Sequence, residues 1–296
     1  MYCERFQDDE NLLANYTATL TSITLSLLSC PFIILMNVLV IVAIKTKRRL
    51  QTMYRILLAC LAATDLFVGG VLQPTFIAAQ IFAIAGRSVT TYCNIDDVFK
   101  PLAFLSVLVT LFHLVLISVE RLIALKHALR YNDIVTKPRL TVAVTFSWFI
   151  AGMYSLLRIL ASHLLPSFAL VSLAICSLLV IAYSHISVYL VTRRHEKQIK
   201  TEQISGEAAT KFLEEKKAWK TTSIIIVFVF LSFFPGVLFS SLHLSGQLPY
   251  QTRFIFRPVV VSSFMLNSLY NPIIYCWRSE EIRKAMISLL TKQNEN

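Results

Sequence analysis

The sequence predicts an all-α membrane protein: a bundle of seven spanning helices followed by a short amphipathic eighth. Three observations predict it. Hydrophobic residues make up 56% of the 296 positions and charged residues only 15%, with mean hydropathy +0.64. Soluble chains average roughly 45–50% and about 25%. The apolar residues are gathered into long runs, each of the ~20-residue order needed to cross a hydrocarbon core ~30 Å thick. The 28 Lys and Arg are unequally shared among the segments between those runs. With 7 Gly, 9 Pro and 6 Cys, collagen-like, disordered and disulfide-scaffold classes are excluded.

The spans are expected over residues 19–44, 53–82, 94–125, 139–161, 166–194, 218–244 and 253–276. Each must be helical, because hydrocarbon offers no partner to a backbone N–H or C=O. Only residues 162–166 separate the fourth span from the fifth. A run from 139 to 194 is far too long for one crossing, and Pro166 suits a helix start, so the run is cut there. Segment 195–217, rich in Lys and Glu, reads as solvated helical extensions of spans five and six. Residues 279–291 place Ile282, Ala285, Met286, Leu289 and Leu290 on one face, with Glu280 and Glu281 in the first turn. They read as an amphipathic helix on the membrane surface. Residues 1–18 are then an N-terminal segment, 19–276 the membrane domain, and 277–296 the last helix and tail. Glu4, Asp8, Asp9 and Glu10 replace the basic start of a signal peptide, so the first span is expected to act as its own targeting signal.

With the N-terminus outside, 22 of the 28 basic residues fall on inner segments and six outside. The positive-inside rule reads this asymmetry as N-terminus out and C-terminus in. Asn15-Tyr16-Thr17 is a glycosylation sequon on the same outer side. The net charge of +11 is therefore an orientation signal and a surface for anionic membrane lipid, and nucleic acid is set aside as a partner.

Polar residues inside the spans cost energy and need an explanation, about 2.5–3.5 kcal/mol for an ionised one. Asp65 lies in mid-span two and Thr110 in span three, and Asn267, Ser268 and Asn271 cluster in span seven. Together they offer a carboxylate and neutral oxygens, which serve either sodium or proton chemistry or a hydrogen-bonded core. Glu120-Arg121 ends span three. It reads as a snorkelling pair or, with Glu214-Glu215 at the start of span six, as a latch between helices. Pro74, Pro101, Pro235 and Pro272 permit kinks. Cys3 and Cys93 share the oxidising side and could pair. Cys30, Cys60 and Cys176 read as small core residues. His113 and His185 read as helix-packing donors.

Taken in order, these features resemble the rhodopsin-like (class A) G-protein-coupled receptors over about residues 20 to 290. The resemblance is carried by Asn37 in MNVLV, Asp65 in LAATD, Glu120-Arg121-Leu122 where the family has Asp-Arg-Tyr, Trp148, Tyr183, Pro235 in FLSFFP, and NPxxY at Asn271 to Tyr275. It implies a plasma-membrane receptor that binds an extracellular ligand within or at the rim of the bundle and activates a heterotrimeric G protein. No enzymatic activity is implied, and no cofactor beyond a bound sodium ion.

The resemblance also assigns roles. Asp65, Thr110, Asn267 and Asn271 become the sodium pocket of the inactive state. Arg121, beside Glu120, holds span six through Glu215 when inactive and meets the G protein when active. Tyr183 and Tyr275 become the tyrosines that swing inward, Pro235 and Pro272 the switch prolines, and Phe233 the residue at the toggle position. Lys100, Ala103, Phe104, Val107, Val237, Ser240, Val261 and Met265 are implied at the ligand cavity.

Ala103, where amine receptors carry an aspartate, disfavours a monoamine, and Met265 excludes retinal attachment for want of a lysine amine. An apolar cup rimmed by Lys100, Arg158, His163, His243, Arg253 and Arg257 suits an anionic lipid or an acidic peptide. Asp96 at the usual third-span cysteine, Ile175 at the usual fifth-span proline, and ALRYNDIVTKPRL look most like the melanocortin branch, with Asp96 and Asp97 as its acids. LSFFP and LRYN look like the adenosine branch. The alternatives are a sodium- or proton-coupled transporter, whose expected internal repeat is not visible, and a non-signalling receptor-like subunit.

Overall fold

The computed structural model describes residues 12–85, 89–160, 164–202, 206–244 and 250–291. The helices in chain order are α1 (Leu12–Thr46), α2 (Met53–Phe67), α3 (Gln73–Ala85), α4 (Val89–Lys126) and α5 (Tyr131–Ile134). They continue as α6 (Lys137–Leu160), α7 (Leu164–Glu202), α8 (Glu207–Leu244), α9 (Tyr250–Arg278) and α10 (Glu280–Thr291). Among the described residues, seven stretches are long and apolar enough to cross a membrane. α2 and α3 together make one of them, Met53–Ala85, and α1, α4, α6, α7, α8 and α9 supply the others. The architecture is the expected seven-helix membrane bundle with a short eighth helix, α10.

The helices outrun the hydrophobic spans. α4 has 38 residues, α7 39 and α8 38, because a helix need not stop where hydrocarbon stops. The Lys/Glu-rich stretch continues α7 to Glu202, and α8 begins at Glu207, just after Gly206 at φ 111°. That left-handed value favours glycine, which lacks the Cβ that would clash. α6 ends at Leu160 and α7 begins at Leu164, so Pro166 sits in the first turn of α7 rather than starting it.

The second crossing contains a π turn, Val68–Leu72, between α2 and α3 and immediately before Pro74. Pro74 has no N–H, and its ring crowds the carbonyl four residues back; a wider turn absorbs both faults. The turn also brings α1 close. A Cβ on Gly69 would stand 2.9 Å from Ile33 Cγ2, and the Cys30 thiol donates to the Gly69 carbonyl at 3.1 Å.

α4 runs through the middle of the bundle, against α2, α3, α6, α7 and α8, while α9 lies against α1 and α8. The largest apolar cluster joins Leu57, Leu61, Leu114, Ile117, Ile225 and Tyr275. A second joins Val68, Leu72, Phe76, Phe99 and Met265, and a third joins Leu108, Val109, Ala151 and Tyr154. Leu28 and Phe32 on α1, Phe149 on α6 and Leu179 on α7 are exposed, as suits a surface solvated by lipid. Cys176 is exposed on that surface too, not a core residue as expected.

In α10, Ile282, Ala285 and Met286 are buried against the bundle, and Ser279 Oγ accepts from the Ile282 N–H at 3.4 Å. Leu290 is 61% exposed. It stands about 80° round the helix from Ile282, at the margin of the face that was expected to bury it.

Candidate functional site

At one end of α4, Glu120 and Arg121 are each only 3% exposed. The guanidinium donates to Glu120 twice, Nε to Oε2 at 2.6 Å and Nη2 to Oε1 at 2.5 Å. Its Nη1 donates to Glu215 Oε2 on α8. Tyr131 of α5 donates its hydroxyl to Glu120 Oε1 at 2.5 Å. Burial and the adjacent Glu120 carboxylate push this phenol well above its ordinary value, so it remains a donor. The Tyr54 ring of α2 lies 4.2 Å from the guanidinium carbon, and its hydroxyl donates to the Ala218 carbonyl of α8 at 3.3 Å. One buried cation is thus held by two carboxylates and an aromatic face, the arrangement that makes a buried charge tolerable. Arg121 and Glu215 are brought together, while Glu214 is exposed.

One turn away, His185 of α7 joins three helices. Its Nδ1 accepts from Trp219 Nε1 of α8 at 3.1 Å and lies 3.2 Å from Ser223 Oγ, and its Nε2 lies 3.4 Å from Ser118 Oγ of α4. Its sequence reading as a packing donor understates this node, for which Trp219, two residues before Thr221-Thr222-Ser223, was the visible signal. Tyr183 is 61% exposed, whereas Ile181, Ser184 and Val188 of α7 are buried. Tyr275 is 1% exposed and its hydroxyl has no hydrogen-bond partner. The two tyrosines paired by the resemblance therefore face different ways here, since the buried stripe of α7 excludes position 183.

Deeper in the bundle lies a polar layer. Asp65, Thr110, Asn267, Ser268 and Asn271 are all buried, and Asn271 Nδ2 donates to Asp65 Oδ2 at 2.9 Å. Asn37 Nδ2 donates to the Ile33 carbonyl at 2.9 Å and to the Ser268 carbonyl at 3.0 Å, stitching α1 to α9. Asp65 Oδ1 and Asn267 Oδ1 are buried without a partner. Orphaned buried oxygens are costly unless a cation or water satisfies them, so the donor set fits a hard cation such as sodium.

The opposite end of α4 carries the reverse pattern of charge. Asp96 is buried; its Oδ1 accepts from Arg257 Nη2 of α9 at 2.7 Å and its Oδ2 from Nη1 at 3.3 Å. Lys100, one turn along α4, stands 2.9 Å from Asp96 Oδ2 and 3.4 Å from Asp97 Oδ1. Both residues, expected at the ligand end, are already engaged: Lys100 is a half-exposed charge paired with Asp96 and Asp97, and Asp96 is paired with Lys100 and Arg257. No local motif signals the Asp96–Arg257 pair, which is 161 residues apart in sequence.

Of the expected cavity residues, Ala103 and Val261 pack with Met265, which is 0% exposed, and with Phe76 and Phe99. Val107 is half-buried. Phe104 turns away to α6, its ring 6.0 Å from that of Tyr154 and 4.8 Å from the Arg158 guanidinium carbon. Successive helix positions point about 100° apart, so Ala103 and Phe104 do not share one face. Phe233 meets Phe264 at 4.9 Å between ring centres. Pro235 lies inside α8 and Pro272 inside α9. Cys93 is disulfide-bonded. Cys3 lies outside the described residues, as do the side chains of Asn15, Val237 and Ser240.

These features accord with the comparison with known families. The sequence model described as 7 transmembrane receptor (rhodopsin family) matches residues 36–275, from the start of the Asn37 motif to the tyrosine of NPxxY. The chain belongs to the rhodopsin family of seven-transmembrane receptors, non-enzymatic signalling proteins of the membrane.

Proposed function

We propose that this receptor binds its ligand toward the Asp96 end of the bundle and, once occupied, promotes nucleotide exchange on a heterotrimeric G protein at the Arg121 end. The observation that carries this reading is the double restraint on Arg121, by Glu120 beside it and by Glu215 on α8. Such a bundle is at rest. A ligand that binds the arrangement with α8 released more tightly than the arrangement with α8 held shifts the population toward release. Sodium would favour the resting state, held by Asp65, Thr110, Asn267 and Asn271; the two partnerless oxygens in that layer support it.

The loop charges support a plasma-membrane orientation with the N-terminus outside. Asn15 is then an accessible glycosylation site. Cys3 is the natural partner of Cys93, since Cys30, Cys60, Cys176 and Cys276 are free. For the ligand, an apolar layer at Ala103, Val261 and Met265, with Arg158 one helix away, suits an anionic lipid or an acidic peptide. The melanocortin and adenosine likenesses rest on sequence motifs, and the ionic engagement of Asp96 weighs against a calcium site of melanocortin type. A coupled transporter is not favoured, because the receptor-family match covers residues 36–275, nearly the whole membrane domain.

Loading of GTPγS onto purified heterotrimers in the presence of receptor tests the reading. Glu215→Gln should raise ligand-independent loading several-fold and Arg121→Ala should abolish it. Failure of every variant to load any G-protein class overturns the reading.

A further inference from the structure

We infer that Asp96 is the pivot of a lock between α4 and α9, passing its carboxylate from Arg257 to Lys100 when the lock opens. The geometry of the three groups carries the inference. Asp96 Oδ1 accepts from Arg257 at 2.7 Å, while Oδ2 is shared between Arg257 at 3.3 Å and Lys100 at 2.9 Å. Asp96 is buried, but the Arg257 and Lys100 side chains are 31% and 41% exposed. Lys100 belongs to the same helix as Asp96, one turn along, and travels with it. Arg257 belongs to α9 and can leave, since its further contact with α4, from Nη1 to the Tyr92 hydroxyl, is long at 3.5 Å.

Removing the only partner of a buried charge is strongly unfavourable. Here departure of Arg257 does not create an unpaired carboxylate, because Lys100 still holds it. Lys100 in turn can approach more closely, since its second contact, with the half-exposed Asp97, is the longer of the two at 3.4 Å. The lysine therefore lowers the cost of opening. The released guanidinium, already partly exposed, turns to solvent. The pair is a bistable element in which one cation holds the closed state and the other makes the open state tolerable.

The lock is also placed to be felt at a distance. Arg257, Val261 and Met265 are spaced four apart along α9 and so lie on one face of that helix. Val261 and Met265 pack against the cluster that includes Phe99 and Ala103 of α4. Two turns further on, the same helix carries Asn271, bonded to Asp65, and then the buried Tyr275. A rigid displacement of α9 that parts Arg257 from Asp96 disturbs both layers.

The inference rests on the receptor reading for its activity arm and not for its stability arm, so failures of the two are distinguishable. In the stability arm, the full-length receptor in detergent micelles is melted as wild type, Lys100→Gln, Arg257→Gln and the double variant. Lys100→Gln alone should cost little, and the same change in the Arg257→Gln background should cost markedly more, because Asp96 then has no cation. Additive shifts overturn the handover. In the activity arm, Arg257→Gln should raise ligand-independent GTPγS loading several-fold, Lys100→Gln should lower it, and Arg257→Lys, which keeps the charge and loses the two-oxygen grip, should fall between wild type and Arg257→Gln. Loss of loading in Arg257→Gln in proportion to lost folded receptor overturns the lock. A wild type that loads no G protein, together with a non-additive melting cycle, sinks the receptor reading and leaves the handover supported.

Discussion

At the Arg121 end of the bundle one cation is shared by two carboxylates; at the Asp96 end one carboxylate is shared by two cations. The two clusters are near mirror images in charge and differ in their access to water. Glu120 and Arg121 have side chains only 3% and 4% exposed, under Tyr54 and Tyr131, and only Glu215, at 25%, reaches toward water. Arg257 and Lys100 remain 31% and 41% exposed. Attraction between unit charges strengthens several-fold as the surroundings dry, and so does the penalty for stranding one of them. The dry cluster is suited to hold a helix until something outside it is supplied. The wet one is suited to exchange partners.

Breaking the dry cluster should have the largest effect. Glu120→Ala leaves Arg121 with Glu215 alone and removes the acceptor of Tyr131. Truncating one partner of a buried ion pair costs about 3–5 kcal/mol, with the surviving Glu215 contact pulling toward the low end. The melting temperature in detergent should fall further than for any variant at the Asp96 end, while ligand-independent GTPγS loading rises. A variant that melts like wild type would show that burial does not set the strength of this cluster.

A smaller effect is expected in the apolar layer between the two clusters. Met265→Ala opens a cavity beside Phe76 and Phe99 where the methionine is 0% exposed. Lipid tails are as apolar as the protein interior, so lost packing rather than transfer from water dominates, and about 2 kcal/mol is expected, the bottom of the range for such truncations. The melting curve should shift by less than for Glu120→Ala. An equal or larger shift would make the apolar layer, and not the ionic clusters, the main tie between α4 and α9.

The contrast between the ends also explains what could be read from the chain. Seven crossings were legible because hydrocarbon forces every backbone bond into a helix and leaves length and hydropathy as the only variables. Arg121 was legible because its first partner is its neighbour in sequence, and because Glu215 precedes the sixth apolar span, whose place in the bundle the motif order implies. The Asp96–Arg257 pair was not, since nothing local marks a partner 161 residues away. The faces that Phe104 and Tyr183 present were illegible for a related reason. Both spans are apolar all round, so periodicity does not choose a face. Only the rotation imposed by the neighbouring helices turns Phe104 to Tyr154 and Tyr183 to lipid. The π turn at Val68–Leu72 adds a further rotation to the second crossing that no single residue predicts, although Gly69, Gly70 and Pro74 stand where it is needed.

The smallest effect tests whether burial, rather than the mere presence of an ion pair, separates the ends. Arg55 donates to Glu281, tying the start of α2 to α10, with side chains 20% and 60% exposed. Arg55 also donates to the Arg49 carbonyl at 2.9 Å, a bond that does not need the acid. Glu281→Gln therefore removes charge attraction without stranding the arginine, and exposed pairs contribute less than about 1 kcal/mol. The burial of Ile282, Ala285 and Met286 continues to hold α10 against the bundle. The melting temperature should move by about 2 °C at most, and raised salt should not reproduce the effect of Glu120→Ala, because screening reaches exposed charges far more than dry ones. A fall as large as that of Glu120→Ala would mean that α10 is pinned by its charge and not by its apolar face, and the distinction between wet and dry pairs would fail at the end of the molecule where it is sharpest.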